Sequence, residues 1–169
     1  HLQTLHPDCH LLIIGDEPFL RPGEPYYPGY RQRMTAIMTE LGVQETVHLT
    51  GAIDQAMLQA IMKKARGLVF PSHMEGMPYV LLEAGLLGLP VVCSDIPAFR
   101  ELIDHGHNGY LVPQGDHEAL AVAVERLLRD ETMAWAMGAH LQRMILGHHD
   151  AAVMAERYTD FFYELLHSS

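Results

Sequence analysis

Hydrophobic positions along this chain fall into short apolar runs that alternate with stretches of helical spacing. Short apolar runs bounded by glycine, proline or serine are typical of strands buried in a parallel sheet. We predict strands at 10–14, 46–50, 67–70, 90–94 and 109–112. Apolar residues that recur every three or four positions predict helices between and after the strands. These helices lie at 31–41, 54–65, 78–87, 116–128, 131–146 and 150–166, with a short one near Ile96.

Strands that alternate with helices predict an α/β fold, in which an open parallel sheet carries helices on both faces. The length of 169 residues predicts a single domain over 1–169, and 49% apolar residues are enough for a buried core. Open sheets of this kind bind ligands outside the carboxyl ends of their strands. We therefore expect one ligand-binding edge, formed by the loops at 15–30, 51–54, 71–77, 94–98 and 113–116.

Segment 17–30, EPFLRPGEPYYPGY, interrupts the regular alternation. Its prolines, glycines and tyrosines disfavour both a helix and a central strand, so the segment is predicted to be a long loop insertion. Three roles stay open for it: folding over a ligand, contacting another domain, or covering a sheet edge.

The overall charge excludes some classes of partner. A formal net charge of −10 disfavours a surface for nucleic acid or for anionic membranes, because both need a basic face. The apolar run at 76–94 contains Pro78, Pro90 and Glu83, which favour a core helix followed by a strand over a membrane span. The chain opens without a methionine or a signal peptide, so we expect it to begin partway through a longer protein.

Cysteine and histidine usage predicts neither a disulfide framework nor a metal centre. Cys9 and Cys93 lie beside or within apolar strand-like runs, which is typical of buried free thiols in a reducing compartment. The twelve histidines are scattered and have no carboxylate or cysteine at ligand spacing. We therefore expect no metal site.

The strongest candidate chemistry is a pair of glutamates. Glu83 is the one charged residue within 76–94, and burying an unpaired carboxylate costs several kcal/mol unless hydrogen bonds satisfy it. Exposure at the helix edge, or a pair with a distant arginine, is the alternative. Glu75 precedes the same helix, whose start at Gly76 and Pro78 leaves backbone N–H groups able to meet an anion. Helical side chains lean toward the N-terminus, so both carboxylates are predicted near the ligand-binding edge.

The positions of the cations limit the candidate phosphate contacts, and the absence of known motifs disfavours several classes of site. Lys63, Lys64 and Arg66 precede a strand and belong to the opposite edge, whereas Arg21 and Arg100 remain candidate phosphate contacts. The chain has no G-x-G-x-x-G after the first strand and no G-x-x-x-x-G-K-[ST], which disfavours a dinucleotide-binding domain and a phosphate loop. It also lacks the G-x-S-x-G elbow of the α/β-hydrolases.

The motifs around the two glutamates resemble those of one known family. FPSHMEGMPYVLLEA at 70–84 is followed by GLPVV at 88–92, Ser94 and Asp95, Glu101, NGYLVP at 108–113, and Asp116. This order resembles the donor-binding domain of retaining GT-B glycosyltransferases of family 4 (glycosyl transferases group 1). The mark of that family is two glutamates separated by seven residues, within P-S-x-x-E-G and before G-x-P-V-V. The resemblance spans about 11–128 and implies a Rossmann-like fold, the C-terminal half of a GT-B enzyme.

The resemblance implies roles for individual residues. Glu75 would be the catalytic-site carboxylate that accepts hydrogen bonds from the transferred sugar, and Glu83 would bind the ribose of a nucleoside diphosphate. Backbone groups of the segment Gly76, Met77 and Pro78 would face the donor. Gly51, Ala52 and Ile53 would border the nucleobase. The implied reaction transfers a hexose-type sugar from a nucleotide-sugar to an acceptor hydroxyl with retention, without a metal or other cofactor, because cationic side chains and helix N-termini stabilise the leaving diphosphate.

Departures from the family limit what the resemblance implies. The arginine and lysine that grip the diphosphate, and the N-terminal domain that binds the acceptor, precede the residues present here, so this chain alone is predicted to be inactive. The acceptor would be a glycan, a lipid or a small molecule. The resemblance implies a cytoplasmic location, with a peripheral one at the inner membrane face as the alternative. Glu17 stands where the family has the second glycine of a G-D-G-P turn.

Two other functions compete with this interpretation. One is a nucleotide-sugar epimerase-like domain, which the P-S-x-x-E-G pattern disfavours. The other is a degenerate binding or interaction module without turnover, which the presence of both Glu75 and Glu83 disfavours.

Overall fold

A computed structural model describes residues 2–16, 19–21, 24–25 and 29–148, and also 153, 155, 158–160, 163 and 167. Its strands are β1 Leu11–Ile14, β2 Phe19–Arg21, β3 Glu24–Pro25, β4 Val47–Gly51, β5 Leu68–Phe70, β6 Val91–Ser94 and β7 Tyr110–Val112. Its helices are α1 Leu2–Leu5, α2 Tyr30–Glu40, α3 Gln55–Met62, α4 Tyr79–Leu86, α5 Pro97–Arg100, α6 His117–Arg129 and α7 Glu131–His148. The predicted α/β class is confirmed, with parallel strands flanked by helices.

The strands form separate sheets, whereas the sequence predicts a single open one. In the described part of the chain, β1 pairs with β4, and β5, β6 and β7 form a three-stranded parallel sheet in that order. The chain also divides into two compact units, 1–60 and 61–169, and the single domain over 1–169 stays a prediction. Periodicity identifies strands without identifying their partners, which is why the separate sheets are not visible in the pattern.

The first unit, 1–60, buries its apolar residues only in part. Leu11, Leu12 and Ile14 of β1 are 45%, 43% and 36% exposed, so the prediction that this strand is buried is wrong. Ile37 of α2 is 48% exposed and Met57 of α3 is 52% exposed, so both helices leave apolar side chains uncovered.

The loop predicted at 17–30 contains a short antiparallel ribbon. β2 pairs with β3, Phe19 lying opposite Pro25 and Arg21 opposite Glu24. Such a ribbon agrees with a composition that disfavours a central strand. The remaining residues of the segment up to 28, and the side chains of the ribbon, lie outside the described residues, and the three roles open to the segment stay predictions.

The second unit, 61–169, has a compact core around its three-stranded sheet. Val91, Val92 and Cys93 of the central strand β6 are wholly buried. One sheet face packs on α6 and α7 through a cluster of buried residues: Val92, Tyr110, Val112, Ala123, Leu127, Ala134 and Met137. Phe70 of β5 contacts Phe99 of α5, with ring centroids 5.2 Å apart. Cys93 is a buried free thiol, as predicted, whereas Cys9 is a free thiol that is only partly buried.

Helix α7 holds α4 in place. A Cβ atom on Gly85 would overlap Ile145 of α7, and a Cβ on Gly138 would overlap the backbone carbonyl of Gly88. The side-chain amide of Gln142 donates to the carbonyl oxygen of Leu86 at 2.6 Å. These close contacts fix the position of the helix that carries Glu83.

Among the described residues, no helix combines the length and the apolar character that crossing a membrane requires.

Candidate functional site

Glu75 lies in the loop between β5 and α4, at the carboxyl end of β5. Its Oε1 atom accepts a hydrogen bond from the Ser72 hydroxyl at 2.7 Å, and the residue is half-buried. This local contact holds the carboxylate in one orientation. A carboxylate has about four lone-pair positions, so Glu75 can accept further hydrogen bonds from hydroxyl groups of a ligand.

Glu83 lies in the second turn of α4. The residue is half-buried, and its Oε2 atom is shielded from solvent. Glu83 is therefore not a surface carboxylate in bulk solvent. The shielding agrees with the reasoning that a lone charge in an apolar run is retained for a specific contact.

The backbone between the two glutamates is open to a ligand. α4 begins after Pro78, which makes no side-chain cap, and Pro78 is buried while Gly76 and Met77 are exposed. A Cβ atom on Gly76 would meet nothing within 4 Å. A ligand can therefore approach this backbone closely. That its N–H groups bind an anion stays a prediction.

Arg100, a predicted phosphate contact, is held by a carboxylate. Its Nε and Nη2 atoms donate to the two oxygens of Asp95 at 2.6 and 3.0 Å. The hydrogen bond from Arg100 holds the pKa of the Asp95 carboxyl below its ordinary value. Because β6 lies between β5 and β7, this pair, just after β6, belongs to the same sheet edge as the Glu75 loop. A phosphate at Arg100 would have to compete with Asp95.

The residues predicted to border a nucleobase belong to the first unit. β4 ends at Gly51, which is buried and has a φ of 72°, and Ala52 and Ile53 follow it. The second predicted phosphate contact, Arg21, lies in β2, and its side chain is outside the described residues. The structure tests neither prediction.

Arg31, a cation of the first unit, is not among the site residues predicted from the sequence. Its Nη2 atom donates to the carbonyl oxygen of Leu49 in β4 at 3.3 Å. The Arg31 residue also lines a small cleft, together with Gly15, Asp16 and Tyr30. A signal was present, because Arg31 follows the loop at 15–30 that was predicted to lie on the ligand-binding edge.

Gln114 of the second unit is also absent from the site residues predicted from the sequence. Its side-chain amide donates to the carbonyl oxygen of His73 at 2.5 Å, inside the loop that carries Glu75. The segment 113–116 was predicted to share an edge with 71–77, so the position was recognisable from the sequence, although the contact was not.

In the described part of the chain, no cluster of three or more histidine, cysteine, aspartate or glutamate side chains is arranged to hold a metal ion. The independence of the site from metals and cofactors stays a prediction.

Curated relatives of the chain include a phosphotransferase and a mannosyltransferase. It is 35% identical over 136 residues to the exopolysaccharide phosphotransferase of Streptomyces coelicolor, a match that covers 79% of this chain and 13% of the relative. It is 40% identical over 93 residues to the phosphatidyl-myo-inositol mannosyltransferase of Mycobacterium leprae, covering 54% of this chain and 25% of the relative. The chain thus spans a quarter or less of the length of these relatives.

Solved structures and a family model cover most of the chain. HepE of Anabaena, solved in complex with UDP-glucose, matches with a TM-score of 0.81 and 21% identity, over 96% of this chain and 44% of that one. This likeness shows the fold, that of GT-B glycosyltransferases. The family model "Glycosyl transferases group 1" matches residues 1–144. The chain therefore belongs to the family of group 1 glycosyl transferases.

Proposed function

We propose that this chain is the nucleotide-sugar-binding domain of a retaining glycosyltransferase of family 4, the C-terminal domain of a two-domain GT-B enzyme. The observation that carries the proposal is the arrangement of two glutamates with seven residues between them. Glu75 is oriented by Ser72 at the carboxyl end of β5, and Glu83 keeps a carboxylate oxygen shielded on the following helix. The enzyme would transfer a hexose-type sugar from a nucleoside diphosphate to an acceptor hydroxyl.

Each glutamate has a distinct role in this proposal. Glu75 accepts hydrogen bonds from hydroxyls of the transferred sugar, and Glu83 accepts those of the ribose. A charged acceptor forms stronger hydrogen bonds than a neutral one, which suits the recognition of polyhydroxylated ligands. Both side chains act by binding and orienting the donor.

The leaving diphosphate needs positive potential. The open backbone at Gly76 and Met77 and the N-terminus of α4 supply N–H dipoles there. Arg100 adds a cation once a phosphate replaces Asp95 as its partner. No metal is required in this scheme. The acceptor, a glycan, lipid or small molecule, binds an N-terminal domain of the longer protein, so the chain alone binds donor without transferring sugar, in the cytoplasm or at the inner membrane face.

The names of similar proteins support a nucleotide-sugar donor. The structure of HepE contains UDP-glucose, and the relative from M. leprae is named as a mannosyltransferase. The base and the hexose for this chain are left to experiment, because a few hydrogen bonds decide between hexoses.

A donor screen tests the proposal. The chain is titrated with UDP-, GDP- and ADP-sugars, and binding is measured as a rise in the thermal unfolding midpoint. Glu83→Ala should weaken the affinity for the preferred donor by about tenfold or more, since a hydrogen bond to a charged group contributes about 1.5–3 kcal/mol. Glu40→Ala, which removes an exposed glutamate from the last turn of α2, is the matched control and should leave the affinity unchanged.

Two results would contradict the proposal. One is the absence of stabilisation by every donor tested. The other is binding that Glu83→Ala and Glu40→Ala leave equally intact, because the shielded carboxylate would then have no part in it.

A further inference from the structure

The loop that carries Glu75 is poorly held by its own side chains. Met74 is 86% exposed and Met77 is 57% exposed, and the space beside Gly76 is empty. A loop that buries so little apolar surface gains little from packing, and its conformation depends on hydrogen bonds. The contact between Ser72 and Glu75 is local and orders only four residues.

A second hydrogen bond ties this loop to a distant part of the chain. The amide of Gln114 donates to the carbonyl oxygen of His73, which lies between Ser72 and Glu75. The loop follows β5, whereas Gln114 follows β7, and β6 lies between the two strands. The Gln114 side chain therefore bridges the carboxyl end of β6 and joins the outer two strands of the sheet.

The segment that bears Gln114 is itself firmly anchored. Val112, two residues before it, is buried, and its carbonyl oxygen accepts from the Asp95 backbone N–H at 2.7 Å. Asp116, two residues after it, caps α6 by accepting from the Ala119 N–H at 2.8 Å. A turn closes between them, with the Asp116 N–H donating to the Pro113 carbonyl at 3.1 Å. The Gln114 amide thus ties a loop with exposed side chains to an anchored segment.

We infer that Gln114 is a positioning residue for Glu75, and that it sets the affinity of the site for the sugar part of the donor. The inference rests on the proposed function, in which Glu75 contacts the sugar and Glu83 the ribose. A binding carboxylate must be held to within about 0.5 Å of its productive position by supporting contacts. Loss of the bridge should therefore weaken recognition of the sugar more than recognition of the nucleotide, because Glu83 and the N-terminus of α4 still bind the nucleotide while only Gly76 and Met77 of the loop face its diphosphate.

The test replaces the donor nitrogen without changing the shape of the side chain. Gln114→Glu substitutes an oxygen that cannot donate to the His73 carbonyl. Gln142→Glu is the matched control, because the Gln142 amide also donates to a backbone carbonyl, that of Leu86, away from the Glu75 loop. Both variants lose one hydrogen bond of the same kind, so a general loss of stability should affect them alike.

Two measurements are made on each variant of the chain. Affinities for UDP-glucose and for UDP are measured by calorimetry, or for the corresponding pair if the screen selects another base. In Gln114→Glu we expect affinity for the nucleotide-sugar to fall about tenfold and affinity for the nucleotide to fall clearly less, by about threefold or less, while Gln142→Glu changes neither. In the unliganded chain, backbone amides of 72–77 should exchange with solvent about tenfold faster in Gln114→Glu only.

A third variant checks that Gln114 acts through Glu75. In a Glu75→Gln background, Gln114→Glu should lower the affinity for the nucleotide-sugar by much less than it does in the wild-type background. Equal weakening in both backgrounds, or equal weakening of UDP-glucose and UDP, would overturn the inference.

Failure of the proposed function can be distinguished from failure of the inference about Gln114. If no nucleotide-sugar binds the wild-type chain, the donor-site proposal fails. Hydrogen exchange at 72–77 then decides the bridge by itself, because faster exchange in Gln114→Glu supports it as the anchor of the loop and unchanged exchange overturns it.

Discussion

Two strands with the same apolar character have opposite surroundings in this protein. Val91, Val92 and Cys93 of β6 are wholly buried, whereas Leu11, Leu12 and Ile14 of β1 are between 36% and 45% exposed. β6 is paired on both sides and covered by helices, while β1 pairs with β4 in the described part of the chain. The apolar run identifies a strand, but burial depends on what lies next to it.

Thiol reactivity should show the largest difference between the two units. Burial raises the pKa of the Cys93 thiol to about 12, whereas Cys9 of the first unit is partly exposed. The thiolate is the reactive form, so at pH 8 a thiol of pKa 12 reacts about a thousandfold more slowly than one of ordinary pKa near 8.5. Alkylation followed by peptide mass spectrometry should label Cys9 first and Cys93 only on unfolding. Equal labelling in the native chain would contradict the contrast.

Truncating one leucine in each unit should show how much free energy of unfolding each side chain contributes. Leu81→Ala in α4 removes a wholly buried side chain and is expected to cost about 2–5 kcal/mol of unfolding free energy. Leu12→Ala removes a side chain that is 43% exposed and should cost about 1 kcal/mol or less. Urea denaturation followed by circular dichroism measures both. Similar costs would mean that β1 is covered in solution.

Glycines of α7 test how tightly the second unit is packed. Gly138→Ala places a methyl group against the Gly88 backbone, which cannot move aside easily, and should destabilise by about 1–3 kcal/mol. Gly147→Ala on the same helix meets nothing within 4 Å and should stabilise by about 0.5–1 kcal/mol, through helix propensity. Thermal unfolding of the two variants should therefore shift in opposite directions.

Removing a helix cap should cost the same stability in both units, so the caps are a feature in which the two units do not differ. Asp54 accepts from the Met57 N–H at 2.7 Å, and Asp116 accepts from the Ala119 N–H at 2.8 Å. Each substitution by alanine should cost about 1 kcal/mol, because capping is a local interaction. A much larger loss at Asp116 than at Asp54, measured by urea denaturation, would show that surrounding packing contributes to the cap.

Local signals in the sequence predict much of the fold. Asp54 and Asp116 are recognisable as caps because each immediately precedes a run of helical spacing, and the structure confirms both. Glu83 stands out because a lone carboxylate in an apolar run conflicts with its surroundings. Pairing of strands and exposure of β1 were not predictable, since both depend on residues distant along the chain.

The same limit applies to the site. The E-x7-E spacing and its flanks identify the loop and the helix that carry the candidate residues. The contact of Gln114 with His73 joins residues 41 positions apart, and no periodicity encodes such a pair. The capture of Arg100 by Asp95 needs the geometry of the turn into α5, which composition does not specify.

The close approach of α7 to α4 has a consequence for motion. Gly138 admits the Gly88 backbone against α7, and Gln142 holds the last carbonyl of α4, so the two helices are joined where α4 ends. Glu83 stands one turn from that junction. Any displacement of its carboxylate by a shift of the α4 backbone therefore requires α7 to move as well, and adjustment to a ligand is left to the side chain and to the loop at the other end of the helix.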